Sequence, residues 1–539
     1  MAPQNGTVDP LVSRLAKEDK VPWYRKPNLR RLYFLMFPTC LGVEMTSGFD
    51  SSMMNGLQAV TTWNNFFNHP RSAILGLMSA LYSLGAVAAL PLVPTISDRL
   101  GRRWSIIFGS VWMLIGAILQ TASQNFAMFI ISRFILGFGI PFAIVAASSL
   151  VNELSHPKER PIVSSLFNSC WFIGAIVAAG VTLGTFAMPS DWGWRIPSVL
   201  QTIPSILQIT FMCFLPESPR WLVSKGRNAE ALAVLIEYHA EGDVDSEFVK
   251  AEYAEIEKTL EMEAEVAKTS WMEMFTTSGM RRRVLVGSFL GLATQWSGNG
   301  LTSYFLAQIL DNVGITDNRT KNLINLAMTC WSFINGTLIA LTMPRFKRRT
   351  SYMICTISLL SIFTGWTIAS ARYAITGDQA SSRAVIAFIF LYSPAYNIGY
   401  NALSYTFLVE LFPYHVRSKG LTIFQCWSRL ATFFNQFVNP IGIANAGWKY
   451  YIRFVALFPW FKAWYLMSHS YCVWLVFEVI FVYFLFPETA NRSLEELAFL
   501  YEGDQMQEQQ KRVQHEIAEV QGDTPSTKED SEKDPSAFI

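Results

Sequence analysis

Twelve apolar stretches, each of roughly 20 residues and so long enough as helix to cross about 30 Å of hydrocarbon, leave this chain few ways to fold. They lie near residues 33–58, 75–96, 104–122, 127–150, 162–186, 196–215, 283–306, 323–343, 351–371, 384–408, 420–443 and 464–486. Backbone amides and carbonyls in hydrocarbon must bond within their own segment, and barrel-type alternation is absent, so the spans are expected to be helices and the fold class all-α. Composition agrees: of 539 residues, 51% are apolar and only 16% are charged, which fits lipid as the main solvent.

The order of the spans adds a second constraint. PESPRWL at Pro216 to Leu222 and PETANRSLEEL at Pro487 to Leu497 each close a block of six spans. The duplication predicts two pseudo-symmetric six-helix bundles, residues 32–216 and 283–488, with a central site where they meet. A polar tail (1–31), a Glu-, Lys- and Ala-rich linker with helices (217–282) and a second polar tail (489–539) complete the division. Four short loops (98–104, 155–161, 344–351 and 412–420) hold 11 Lys or Arg in 31 residues. By the positive-inside bias these loops, the linker and both tails lie in the cytoplasm. The first 31 residues lack the pattern of a cleavable signal, so the first span serves as its own targeting signal.

Several chemistries are excluded. A net charge of +2 does not suggest nucleic acid, and no Gly-Lys dipeptide occurs, so there is no Walker A phosphate loop. Six histidines and seven cysteines show no ligand or redox spacing, which argues against a metal or other cofactor. No Ser, His and acid constellation points to an enzyme.

Charged residues recur at the predicted cytoplasmic helix ends: Arg99, Arg102 and Arg103, then Glu153 and Arg160, then Glu217 and Arg220 in the first half, and Arg348 and Arg349, Glu410 and Arg417, then Glu488 in the second. Carboxylates and guanidinium groups alternating along neighbouring helix ends can pair in a low-dielectric rim, and such pairs are expected to break when an inner gate opens.

Asp50 is the sharpest chemical signal, because a carboxylate within a span costs several kcal/mol unless it is paired, protonated or facing water. A rise of about 1.5 Å per residue puts it about 24 Å from the cytoplasmic side, and Arg133 of span four at nearly the same depth. An Asp50–Arg133 pair is therefore expected. Pairing with Arg favours the carboxylate and burial without it favours the neutral acid, so a rearrangement of the pair can take up and release a proton. Glu44, nearer mid-span but on another helix face, ranks second. For a polyol ligand the chain offers amides inside apolar runs, Gln295, Asn299, Asn335, Asn397, Asn435 and Gln436, with Trp427 and Tyr405 as ring platforms.

Gly48-Phe49-Asp50, Gly101-Arg102-Arg103, Arg133 with Gly137 and Gly139, Glu153 to Arg160, PESPRWL, Gln295-Trp296-Ser297-Gly298, Glu410 to Arg417 and PETANRSLEE occur in that order. This succession resembles the sugar porter family of the major facilitator superfamily over residues 32–500, and within it the fungal lactose permease and hexose transporter branch. The resemblance implies twelve helices in two bundles and a sugar bound between them. It places Asn168, Gln295, Tyr405 and Asn435 at sugar-contacting positions and an acid at Asp50 in proton-coupled members. The chain departs from the family pattern at Pro344 and Lys347, at Asn168, at Thr294 and in span ten, which lacks the usual prolines. Arg453 to Ser470 looks surplus to the family spacing before the last span.

The expected function is import of a hexose or disaccharide with a proton, by a monomer in the plasma membrane with both termini cytoplasmic. A passive facilitator and a non-transporting sugar sensor are the competing readings.

Overall fold

The computed structural model describes residues 18–266, 271–342, 346–412, 416–446 and 471–489, with Val12 and Leu15. Arg453 to Ser470 and the tail after 489 lie outside the described residues. Within the described residues the chain is helical without strands, and each of the twelve expected spans is present. Span one runs Pro27–Met36, Phe37–Leu41 and Gly42–Leu57; span two, Ser72–Ala89 and Val93–Leu100; span three, Arg102–Thr121; span four, Phe126–Leu154; span five, Arg160–Thr185; and span six, Trp192–Leu200 and Thr202–Met212. The second bundle follows as span seven, Ser278–Trp296 and Asn299–Tyr304; span eight, Asn318–Thr342; span nine, Arg348–Thr376; span ten, Gln379–Tyr396, Asn397–Asn401 and Ser404–Leu411; span eleven, Arg417–Ala446; and span twelve, Tyr471–Leu485.

Five of these, spans three, four, eight and nine and the first part of span two, are unbroken helices long and apolar enough to cross a bilayer alone. Spans one, six, seven and ten are interrupted, and several of the interruptions have local causes. Pro38 lacks an amide donor, and a wide turn forms at Phe37–Leu41. Gly298 adopts φ 102° and separates the two parts of span seven. A second wide turn, Asn397–Asn401, divides span ten. Such breaks are tolerated at membrane depth where they border a cavity or are buried in protein.

The two halves repeat one device at their helix ends. The Glu217 carboxylate accepts from the Arg102 and Arg103 amides at 3.0 and 3.2 Å, capping span three. The Glu488 carboxylate accepts from the Arg348 and Arg349 amides at 2.9 and 3.3 Å, capping span nine. In each case an acid satisfies orphan amides and complements the positive end of the helix. The linker forms helices Pro219–Ser224, Asn228–His239, Glu247–Val266 and Glu273–Thr276 on the same side as these caps.

Glycine sets the closest helix approaches. A Cβ at Gly137 of span four would lie 1.8 Å from the Tyr82 carbonyl oxygen of span two, whereas one at Gly184 of span five would meet nothing within 4 Å. Gly→Ala in a helix normally stabilises by about 1 kcal/mol, but overpacking costs about 1–3 kcal/mol. Gly137→Ala is therefore expected to lower, and Gly184→Ala to hold or raise, the melting temperature of the detergent-purified protein.

Candidate functional site

Asp50 and Arg133 meet in the interior of the first bundle. Their side chains are 1% and 0% exposed, and an Arg133 Nη1 hydrogen bonds to Asp50 Oδ1. Gln201 of span six donates a second bond to that oxygen at 2.9 Å. Arg133 also donates from Nε to the Met78 carbonyl at 3.3 Å and stands 5.0 Å from the centre of the Tyr82 ring. Asp50 Oδ2 accepts no hydrogen bond among the described residues. The pair thus joins spans one and four, with one carboxylate oxygen still open to a proton.

A cavity of about 330 Å3 lies between the bundles. Spans one and five supply Glu44, Ser47, Ser51, Ser52, Trp171 and Phe172 to one wall. Spans seven, eight, ten and eleven supply the other, including Gln295, Asn299, Asn325, Tyr396, Asn397, Tyr405, Gln425 and Arg429. Amides, hydroxyls and aromatic rings alternate around it, a lining that can exchange hydrogen bonds with a polyol and cover its C–H faces. Asp50 stands behind this wall, one residue from Ser51, while Glu44 faces the cavity itself. Arg429, on the opposite bundle, is the charged group acting on Glu44.

On the side away from the linker the bundles are sealed together. Ser51 donates to the Tyr304 hydroxyl at 2.7 Å, Asn55 donates to Asn325 Oδ1 at 3.2 Å, and the Ala307 amide donates to Asn55 Oδ1 at 3.3 Å. Gln58 donates to the Tyr304 carbonyl at 2.6 Å, and Asn318 to Thr61 at 3.2 Å. Toward the linker side the cavity reaches Tyr405, which is 48% exposed and accepts from Gln425 at 2.6 Å.

The charged rim differs from expectation. Arg102 pairs with Glu153 at 3.6 Å and Arg348 with Glu410 at 3.0 Å, each inside its own bundle. Both pairs are intact in this structure. Glu217 and Glu488 serve as helix caps. Arg103 donates to the Cys213 carbonyl at 3.1 Å, and Arg349 lies 5.5 Å from the Tyr483 ring centre. Arg160 reaches Glu252 of the linker at 3.7 Å. Arg99 is exposed, and Arg220 and Arg417 are half-buried at helix starts.

Among the amides, Gln295, Asn299 and Asn397 line the cavity. Asn335 instead braces Asn397, accepting from it at 2.6 Å. Asn435 donates to the Gln295 carbonyl at 2.7 Å, just before the break in span seven. Gln436 accepts from Ser83 of span two and so ties the bundles together. Trp427, expected as a ring platform, is 38% exposed and is not among the described cavity residues; Tyr396, whose hydroxyl donates to the Thr294 carbonyl at 2.7 Å, takes a place on that wall. The Asn168 side chain lies outside the described residues.

Two charged residues escaped the reading of the sequence. Arg429 is one. Glu478 of span twelve is the other: fully buried, it accepts from the Tyr400 hydroxyl at 2.8 Å and the Ser297 hydroxyl at 3.2 Å, gripping the breaks in spans ten and seven. The signal available for both was the cost of an ionisable group within a span, the same rule that singled out Asp50.

A family model described as "Sugar (and other) transporter" matches residues 35–501. Among relatives, the MFS-type transporter oryC of Aspergillus oryzae is 28% identical over 483 residues, covering 87% of this chain and 85% of that protein. The high-affinity glucose transporter of Kluyveromyces lactis is 26% identical over 502 residues, covering 88% and 86%. Among solved structures, the inward open conformation of the xylose transporter XylE from E. coli superposes with a TM-score of 0.68 at 19% identity, covering 87% of this chain and 100% of that one. A second, the proton:xylose symporter XylE bound to 6-bromo-6-deoxy-D-glucose, gives 0.67 at 21% identity over 87% and 99%. These likenesses establish a twelve-span major facilitator fold.

Proposed function

This chain belongs to the sugar (and other) transporter family, and we propose that it imports a hexose or disaccharide together with a proton, as a monomer in the plasma membrane, with the linker and both termini in the cytoplasm. The observation that carries the reading is the juxtaposition of a polar, aromatic-edged cavity between the bundles with a buried Asp50–Arg133 pair directly behind its wall. A cavity of this size suits a small ligand. The relatives' names, a glucose transporter and a proton:xylose symporter, support the same substrate class and coupling.

With the outer seal closed and the cavity reaching the linker side, the structure corresponds to an inward-facing stage of alternating access. Asp50 is bound here by Arg133 and Gln201, the arrangement expected after a proton has left for the cytoplasm. In the outward-facing stage Arg133 withdraws, and Asp50 Oδ2 takes up a proton. Glu44 and Arg429, one from each bundle, approach one another as the linker side closes. The rim pairs hold neighbouring helix ends of each bundle together while it rocks. By linkage, if the proton improves sugar binding, sugar improves proton binding by the same factor.

The reading is tested with a transporter-deficient yeast strain expressing this chain. Adding the transported sugar is expected to alkalinise an unbuffered medium, and an uncoupler to abolish accumulation above the external concentration. Uptake that equilibrates without a pH change identifies a passive facilitator, and no uptake on any of a panel of hexoses and disaccharides identifies a sensor.

A further inference from the structure

Beyond the cavity, a short stretch of the linker bridges the two helices that carry the buried ion pair. His239 ends the linker helix Asn228–His239 and is 4% exposed. Its Nδ1 lies 2.7 Å from Glu252 Oε2, and its Nε2 lies 3.2 Å from the carbonyl oxygen of Leu154, the last residue of span four. Both partners are acceptors. A neutral imidazole has one N–H, so only an imidazolium donates to both. A protonated Glu252 would hold the same proton, but Arg160, 3.7 Å from its other oxygen, favours the carboxylate. A cation here also suits the C-terminal end of span four, whose last carbonyls lack helical partners.

Two residues further on, Glu241 stands at φ 53°, a left-handed conformation unusual for a residue with a side chain. Its carboxylate accepts from the Asn28 and Leu29 amides, both at 3.0 Å, and so caps the start of span one. One short stretch of linker therefore grips the cytoplasmic ends of span one, which carries Asp50, and span four, which carries Arg133.

We infer that His239 is a positioning residue for transport: as an imidazolium it clamps span four while Glu241 clamps span one, and the clamp holds the inward-facing arrangement of the Asp50–Arg133 pair only while His239 keeps its proton. The inference rests on the proton-coupled reading for its consequence, not for its geometry.

The groups facing His239 come from every element packed against it. Glu252 belongs to the linker helix Glu247–Val266 and Arg160 to the start of span five. His156, with its ring centre 5.5 Å away, lies in the loop after span four, and its Nδ1 is 3.2 Å from Glu159. Tyr33 of span one accepts from the His156 amide at 3.3 Å. Burial alone opposes the charge on His239; the Glu252 carboxylate and the Leu154 carbonyl outweigh it, with Arg160 opposing, and hold the imidazole above its ordinary value of 6.5. A group raised in the docked state contributes its full stabilisation below its free value and loses it as pH rises through the docked one. Glu252, which burial alone would push up, is held below the ordinary carboxylate range by His239, with Arg160 and His156 adding to the effect, and stays ionised across the cytoplasmic range.

Cytoplasmic acid thus tightens the clamp, favours the inward-facing state and slows the return step, which limits sugar entry when imported protons accumulate. Hydrogen exchange of the purified full-length protein reads the clamp directly. After correction for intrinsic exchange, protection of residues 27–33 and 239–252 is expected to fall by up to about tenfold for each unit that pH rises between the free value of the imidazole and its higher docked value, and to level off above the docked value. His239→Gln is expected to abolish this slope and to weaken the inhibition of uptake by a cytosol acidified with a permeant weak acid. Glu241→Gln is expected to lower protection of residues 27–33 at every pH and leave the slope in place. Should His239→Gln not fold, Glu252→Gln gives the same reading. A slope that persists in His239→Gln or Glu252→Gln overturns the proposal. The exchange measurement stands even if uptake proves uncoupled from protons, so failure of the clamp and failure of symport are told apart.

Discussion

Asp50→Asn is expected to collapse uphill sugar accumulation to equilibration, with the internal concentration no higher than the external one, while exchange of internal for external sugar continues. The amide side chain keeps the shape of the acid and can still accept from Arg133 and Gln201, but it cannot carry a proton through the cycle. A competing effect must be weighed. Removing one partner of a buried ion pair costs about 3–5 kcal/mol, because the other charge is left without a counter-ion. Arg133 retains the Met78 carbonyl at 3.3 Å and the Tyr82 ring at 5.0 Å, which offset part of that cost. The substitution is therefore expected to lower the melting temperature and leave a folded protein. Accumulation of a non-metabolised sugar, measured beside counterflow exchange in the same cells, separates the two effects: loss of both indicates a folding defect, and retention of both removes Asp50 from the coupling mechanism.

How much of this was legible in the sequence follows from which interactions are local. All twelve spans were placed by apolar length; span twelve is described from Tyr471, and its expected start at residue 464 lies outside the described residues. The meeting of Asp50 with Arg133 followed from depth along two helices, a quantity that needs only the rise per residue. Facing direction was harder. It depends on rotation about each helix axis, which packing decides, and wide turns such as Asn397–Asn401 shift the phase of everything beyond them. This is why Trp427 was expected in the cavity and Tyr396 was not. Glu478 and Arg429 lie in apolar runs with no partner nearby in sequence; the contacts that give Glu478 its place come from Ser297 and Tyr400, on two other helices. Glu217 and Glu488 were seen as ion-pair acids because their charge is visible in the sequence, whereas their use as caps depends on which helix starts beside them.

Gly298→Ala is expected to reduce both sugar binding and exchange by at least tenfold, a pattern distinct from that of Asp50→Asn. Gly298 has φ 102°, a conformation that side chains disfavour, and an added Cβ would lie 2.2 Å from the ring of Phe363. That ring cannot easily yield. It is fully buried and stacked between Trp366 and Tyr471, with ring centres at 5.2 and 5.5 Å. Left-handed strain of about 1–2 kcal/mol and overpacking of about 1–3 kcal/mol together correspond to a loss of roughly 30-fold or more, at 1.4 kcal/mol per factor of ten. The loss falls on the outer part of span seven, Asn299–Tyr304, which supplies Asn299 and Tyr304 to the cavity and makes the seal through Thr302 and Tyr304. Span seven has little freedom to re-form around the change, because Ser297 is held from behind by Glu478, itself fixed by Tyr400. Binding measured by quenching of tryptophan fluorescence, with exchange measured in proteoliposomes, checks the prediction. Exchange within twofold of the unaltered protein would show that the break in span seven is not a fixed hinge, and that the far-side seal closes by movement of the whole bundle instead.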